Sequence, residues 1–140
     1  MFRRNFNGWK MNWIQVTAGV IEKEGRVLIA RKRRGDGPFA RKWEFPGGKV
    51  EPGETNEECL ERELHEELGI RARIGAFLCA SRHDYGHLAV ELLAYRVISY
   101  RGEIVLNDHE EIRWVPAGDL ADYEFPQADI PIIRLLMEKG

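Results

Sequence analysis

The sequence predicts an α/β fold in which helices cover both sides of a mixed β-sheet. Short apolar stretches rich in β-branched residues recur along the chain between turn residues. Two segments with helical periodicity stand far apart, at about 55–68 and 127–138. Each helix must bury its apolar stripe against another element, so two helices and several strands favour a layered architecture.

The first strands are predicted from composition and from the turns between them. Residues 14–21 are apolar and β-branched, and residues 26–32 alternate. The intervening turn at Glu22–Gly25 therefore predicts a hairpin. A loop rich in Gly and Pro at 33–42 then leads into a short strand at 43–45.

The first helix has a clear start and a clear stop. Thr55 followed by Glu58 forms a capping box, and Gly69 is suited to the left-handed conformation that ends many helices. Between these signals an apolar stripe recurs every fourth residue, at Leu60, Leu64 and Leu68.

The second half of the chain predicts more strands than helix. Residues 107–111 read as an acidic loop, and residues 116–120 as a helical turn. The predicted strands lie at 70–82, 87–99, about 103–106 and 112–115.

Length and charge limit the classes of protein that this chain can represent. Its 140 residues suggest a single domain at 13–140, preceded by an extension at 1–12. The net charge of −2 provides no general attraction to nucleic acid polymers. No apolar run is long enough to span a membrane, and Cys59 and Cys79 form neither a zinc motif nor a disulfide framework. We therefore expect a cytoplasmic protein, whose oligomeric state is not readable from the sequence.

The first helix carries an unusual set of carboxylates. Glu63, Glu66 and Glu67 lie within an arc of about 100° when the helix is wound at its ordinary pitch. Like charges at these spacings repel by roughly 0.2–0.5 kcal/mol per pair. A hard divalent cation would convert this repulsion into binding, whereas the alternative is a solvated acidic helix face.

The helix and the loop before it also carry a family motif. The residues resemble the Nudix box, G-x5-E-x7-R-E-U-x-E-E-x-G-U, where U is a bulky apolar residue. The match holds at every specified position: Gly48, Glu54, Arg62, Glu63, Leu64, Glu66, Glu67, Gly69 and Ile70.

The resemblance implies a fold and a reaction. It narrows the α/β prediction to the Nudix fold, an α/β/α sandwich with a mixed sheet. The segments at 43–49 and 125–133 are similar to those of MutT-like and CTP pyrophosphohydrolase-like members. The implied activity is Mg²⁺-dependent hydrolysis of a nucleoside triphosphate to a monophosphate and pyrophosphate, with water attacking the β-phosphorus. Mn²⁺ could substitute for Mg²⁺. The resemblance leaves the substrate open between 8-oxo-dGTP and CTP or 5-substituted dCTP, and it does not distinguish ribose from deoxyribose.

The resemblance further implies a ligand set for the metal. Glu63, Glu66 and Glu67 are the expected carboxylate ligands, and the backbone carbonyl of Gly47 would add another. One more acid comes from the loop before a late strand. We favour Asp108 for this position, with Glu110 and Glu111 as alternatives.

Two box residues are expected to organise this cluster. Glu63 is also a candidate base toward water, oriented by Arg62 through hydrogen bonding. Glu54 and Arg62 could instead form only a salt bridge that fixes the loop to the helix.

Phosphate and base contacts complete the predicted site. Arg31 matches a phosphate-contacting arginine of MutT-like members, and Lys49 could reach the same oxygens. Asp129 is expected to accept hydrogen bonds from the base, although it could instead cap the last helix. The aromatic candidates for stacking against the base are Phe45, Tyr85 and Phe125.

Two alternatives to this enzyme remain open from the sequence. One is a Nudix hydrolase acting on another nucleoside diphosphate derivative. The other is a Nudix-like module that binds nucleotides without hydrolysis; such modules typically lose box residues that this chain retains.

Overall fold

The computed structural model describes residues 12–33 and 39–139. The expected extension at 1–12 thus lies outside the described residues except for Asn12, as does part of the loop expected at 33–42. The elements, in chain order, are β1 Ile14–Lys23, β2 Arg26–Lys32, β3 Trp43–Glu44, α1 Asn56–Leu68, β4 Arg71–Asp84, β5 Ala89–Arg101, β6 His109–Pro116, two 3-10 turns at Ala117–Asp122 and Gln127–Asp129, and α2 Ile130–Lys139.

The strands form a six-stranded mixed sheet in the order β3-β2-β1-β5-β4. Strands β1 and β3 pair with the two ends of β2 along one edge, and β6 pairs with β2 along its other edge. The pairing of β1 with β5 is parallel, whereas β1 with β2, β2 with β6 and β4 with β5 are antiparallel. The predicted hairpin turns tightly at Glu24 and Gly25, which both have positive φ, at 53° and 76°. Such a pair matches the twist of the flanking strands.

Each face of the sheet is covered by one helix, as predicted. Successive side chains of a strand point to opposite faces. Val27 and Ile29 of β2 accordingly pack with Ile132 of α2, in one core cluster. Leu28, between them, packs with Leu64 of α1 in a second cluster. The sandwich prediction is therefore confirmed.

The predicted strand at about 103–106 is wrong. The backbone N–H groups of Val105 and Asn107 donate to the carbonyls of Leu68 and Glu67, at 2.9 and 3.1 Å. These carbonyls belong to the last turn of α1, which has no partners for them within the helix. The segment therefore caps α1 instead of pairing in the sheet.

The acidic loop predicted at 107–111 is only partly a loop, because β6 begins at His109. A register irregularity in the β2–β6 ladder brings Arg31 opposite Glu111 but Lys32 opposite His109, so Glu110 is an extra residue in β6. Such a bulge changes which face the following side chains occupy. None of the helices in the described parts of the chain is both long and apolar enough to cross a membrane.

Candidate active site

The loop before α1 is fixed to β1 by backbone hydrogen bonds. Gly19 donates to the carbonyl of Pro46 at 2.7 Å, and Thr17 donates to the carbonyl of Gly48 at 2.8 Å. A Cβ at residue 47 would lie 2.0 Å from the carbonyl oxygen of Thr17. Only glycine allows this approach, so the loop lies at a defined position on the sheet.

The capping box forms as predicted and sets the direction of α1. The backbone N–H of Glu58 donates to Thr55 Oγ1 at 3.1 Å, and the backbone N–H of Thr55 donates to Glu58 Oε1 at 2.9 Å. At the other end, Gly69 is left-handed with φ 71°. The leucine stripe is fully buried, so the neighbouring acidic arc faces the loop.

Arg62 links the box carboxylates. Its guanidinium donates to both oxygens of Glu54, at 3.0 and 2.6 Å, and to Glu63 Oε2 at 2.9 Å. It also donates to Glu66 at 3.3 Å and to the carbonyl of Lys49 at 3.2 Å. The hydrogen bond from Arg62 is the main reason that the pKa of Glu54 falls to about 2. The Glu54 carboxylate therefore ties the loop to the helix.

Glu63 lies directly against the glycine loop. A Cβ at residue 48 would lie 2.2 Å from its Cδ and 2.5 Å from each carboxylate oxygen. Its side chain is only 16% exposed. With Oε2 held by Arg62, the carboxylate is fixed beside the Gly47–Gly48 backbone.

Glu67 is the carboxylate that most clearly needs a cation. Its Oε1 is buried and has no hydrogen-bond partner among the described residues. Burial, followed by the charges of Glu44, Glu63 and Asp108, raises its pKa to about 9. A divalent ion among these oxygens would reverse that effect. As they stand, however, no three His, Cys, Asp or Glu side chains in the described ranges converge as a finished metal site.

The structure separates the three loop acids. Asp108 lines an open hollow with Lys32, and its charge contributes to the raised pKa of Glu67. Glu110 and Glu111 instead pair with Arg31, at 2.8 and 3.0 Å.

Arg31 does not line the cavity that holds the other predicted substrate residues. Its guanidinium sits 5.3 Å from the centre of the Trp43 ring, in addition to the two acidic partners. The next residue, Lys32, is 3.9 Å from Glu44 and lines that cavity, beside the Gly47–Gly48 loop. Because neighbouring residues of a strand point to opposite faces, the lysine, and not the arginine, faces the cavity.

This cavity, of about 270 Å³, brings four of the predicted substrate residues together: Phe45, Lys49, Tyr85 and Asp129. Its volume lies just below the range of roughly 300–1,000 Å³ that is usual for ligand pockets, which suits a single base better than a whole nucleotide. Gly47 and Gly48 also line it, so the cavity adjoins the carboxylate helix.

The aromatic candidates differ in position. Phe45 is buried and stacks on Phe125, with ring centres 5.3 Å apart, so Phe125 supports the cavity wall from behind. The hydroxyl of Tyr85 accepts a hydrogen bond from the backbone N–H of Ala128 at 3.0 Å. Phe39, which the sequence did not suggest, meets Tyr85 edge to face at 4.9 Å.

Asp129 is only 6% exposed and directly precedes α2. Burial, followed by the charge of Glu44, raises its pKa well above the ordinary value, and the Phe45 backbone N–H opposes this. The sequence predicted that Asp129 only accepts hydrogen bonds. With a raised pKa its carboxyl can also carry a proton, and a protonated carboxyl offers one donor and one acceptor.

Besides Phe39 and Lys32, the sequence reasoning missed Glu44 and His109 at this site. Glu44 lines the cavity, and its Oε2 forms a hydrogen bond with His109 Nε2 at 2.8 Å. The available signal was a charged residue between two buried aromatics, Trp43 and Phe45. His109 carried no recognisable ligand spacing, and only the fold brings it to Glu44.

Comparisons with known proteins agree with this architecture. The NUDIX domain model matches residues 11–136. The CTP pyrophosphohydrolase of Escherichia coli K12 is 35% identical over 127 residues, covering 91% of this chain and 93% of the relative. An 8-oxo-dGTP diphosphatase of Haemophilus influenzae is 35% identical, covering 90% and 93%. The solution structure of the E. coli ORF135 protein superposes with a TM-score of 0.82 at 34% identity, covering 91% of each chain. The chain therefore belongs to the NUDIX family.

Proposed function

We propose that this NUDIX hydrolase is a Mg²⁺-dependent nucleoside triphosphate pyrophosphohydrolase. It hydrolyses modified or oxidised triphosphates, such as 8-oxo-dGTP or CTP and 5-substituted dCTP, to a monophosphate and pyrophosphate. The names of the relatives, CTP pyrophosphohydrolase and 8-oxo-dGTP diphosphatase, support this class of substrate.

The observation that carries the proposal is a buried carboxylate next to a cavity of base size. Glu67 has an oxygen without a partner among the described residues, and Gly47 and Gly48 link its helix to the cavity. A nucleoside triphosphate needs both features, an apolar recess for its base and a cation site for its phosphates.

Divalent metal ions generally serve this family, and the acidic cluster fits one. Glu63, Glu66, Glu67, Asp108 and the carbonyl of Gly47 would hold the ion. When bound, Mg²⁺ neutralises phosphate charge and lowers the pKa of a bound water. The chain's own contribution is orientation: Arg62 holds Oε2 of Glu63, which leaves the other oxygen to accept a proton from water.

Phosphate binding is assigned to Lys49 and Lys32. Lys49 follows the glycine loop and is exposed at the cavity, and Lys32 also lines the cavity. Arg31, the residue suggested by resemblance, would have to leave Glu110 and Glu111 to take part.

Base binding is assigned to the apolar recess. Phe45 and Tyr85 would pack on the ring, and Asp129 would read its polar edge. Bases that offer both a donor and an acceptor on one edge suit a carboxyl whose pKa is raised.

A panel of triphosphates tests the proposal. The purified chain is assayed for released pyrophosphate and phosphate with 8-oxo-dGTP, 5-methyl-dCTP, CTP, unmodified dNTPs, a nucleotide sugar and a dinucleotide, with Mg²⁺, Mn²⁺ or EDTA. We expect turnover that requires the metal, with one base class preferred. Release of single phosphate, or turnover only with nucleotide sugars or dinucleotides, would point to another NUDIX reaction. Metal-independent nucleotide binding without turnover would indicate a binding module.

A further inference from the structure

His109 is a buried polar residue whose hydrogen bonding is directed at one partner. It is 0% exposed, and its Nε2 lies 2.8 Å from Glu44 Oε2. Its Nδ1 is also buried and has no partner among the described residues. When the ring carries its proton on Nε2, that nitrogen donates and the carboxylate oxygen of Glu44 accepts. Among the described residues, the buried imidazole of His109 therefore has one hydrogen-bond partner, the Glu44 carboxylate, and this bond can orient Glu44.

The fold creates this pair across β2. In the sheet register, Ala30 lies opposite Glu44 on one side of β2, and Lys32 lies opposite His109 on the other. Residues two apart on a strand share a face, so all four side chains project the same way. Ala30 is small, which lets the Glu44 side chain pass over β2 to reach the histidine. The bulge at Glu110 is what places His109 on this face.

Glu44 occupies the junction between the two halves of the site. Its side chain lines the cavity and is 21% exposed. Asp129 lines the same cavity, and the Glu44 charge is, after burial, the next cause of the raised pKa of both Glu67 and Asp129. Its strand, β3, is only two residues long and provides little else to fix the side chain.

We propose that His109 is a positioning residue that holds Glu44 in the cavity wall, where Glu44 accepts a hydrogen bond from the substrate's base. The inference rests on the proposed function. In this role His109 touches no substrate itself, and it acts by limiting the conformations of the Glu44 carboxylate. A fixed acceptor costs less entropy on binding than a mobile one.

A matched pair of amides tests the contact. The amide nitrogen of Gln reaches the place of the histidine Nε2, whereas that of Asn reaches only the place of Nδ1, which faces no partner in the described structure. We expect His109→Gln to retain KM within about threefold. We expect His109→Asn to raise KM for the preferred triphosphate about tenfold with kcat changed less than about threefold, since uniform binding is lost.

A second background separates positioning from folding. In Glu44→Ala there is no carboxylate to hold, so adding His109→Asn should leave KM unchanged. His109→Met fills the same buried space without a donor, and it replaces the Asn variant if that chain fails to fold. Melting temperatures are recorded for every variant.

The outcomes are distinct. The proposal is overturned if Gln and Asn behave alike, if only the melting temperature changes, or if the His109→Asn effect persists in the Glu44→Ala background. A wild-type chain that releases no pyrophosphate from any triphosphate overturns the proposed function, and this inference with it. An active wild type with an unresponsive His109 overturns the inference alone.

Discussion

Replacing Glu67 with Gln is expected to stabilise the metal-free fold and to remove most of the turnover. Burial first, and then the Glu44 and Glu63 charges, raise the pKa of Glu67 from 4.5 to about 9. The folded chain therefore keeps a proton that the unfolded chain releases. Stability from this residue is highest below the ordinary pKa and falls as pH rises from about 4.5 toward 9.

The size of the effect at neutral pH follows from this window. Each pH unit above the ordinary pKa corresponds to about 1.4 kcal/mol, so at pH 7 the loss is at most about 3 kcal/mol. Gln has the shape of a protonated Glu and carries no charge. We expect Glu67→Gln to raise the melting temperature by about 5–10 °C at pH 7, and to change it little at pH 4.5.

The assay pairs thermal melts with turnover, and Glu66→Gln is the matched control. The Glu66 side chain is 57% exposed, so its replacement should leave the melting temperature nearly unchanged at both pH values in EDTA. With Mg²⁺, loss of a metal ligand at Glu67 should lower kcat at least about 10²-fold. A melting difference that is the same at both pH values would refute the buried-carboxylate reasoning. Near-normal turnover would refute the role in metal binding.

Three further changes test the assignments around the cavity. Lys32→Ala is expected to raise KM for triphosphates about tenfold, because it removes a charge at the cavity, whereas Arg31→Ala should mainly lower the melting temperature by a few degrees. The reverse pattern in steady-state kinetics and thermal melts would show that Arg31 is the phosphate contact. Gly48→Ala is expected to lower kcat about tenfold or more with a small melting change, because the new Cβ displaces the Glu63 carboxylate and not the backbone; unchanged turnover would show that the Glu63 position is not needed. Asp129→Asn is expected to shift the ratio of kcat/KM from 5-methyl-dCTP toward 8-oxo-dGTP about tenfold, because the amide presents a donor and an acceptor at every pH; an equal loss on all bases would indicate a helix cap.

The first helix and its loop were predictable because their signals are local. The capping box needs only residues three apart, and the leucine stripe and acidic arc follow from helical geometry alone. The structure bears this out, with α1 at Asn56–Leu68 and Gly69 left-handed at its end. The two-sided sheet was predictable for a similar reason, since two helices with apolar stripes each need a surface to cover.

The segment after β5 was not predictable in the same way. Residues 103–106 have the composition of a strand, but their backbone donors serve the end of α1, through Val105 to Leu68. Composition indicates that a segment can pair as a strand. It does not indicate that the carbonyls at the end of α1 lack partners and lie within reach of the segment. The same capping contact through Asn107 carries Asp108 toward Glu67.

Which side chains face the cavity was decided by the tertiary structure alone. The sequence supplied Arg31 and Lys32 as neighbours, and His109, Glu110 and Glu111 as a run, with no indication of their faces. One extra residue in β6 directs both acids to Arg31 and leaves His109 beside Glu44. A strand has a side-chain period of two, so a single bulge exchanges its faces, and whether a bulge forms depends on pairing with a strand distant in the chain.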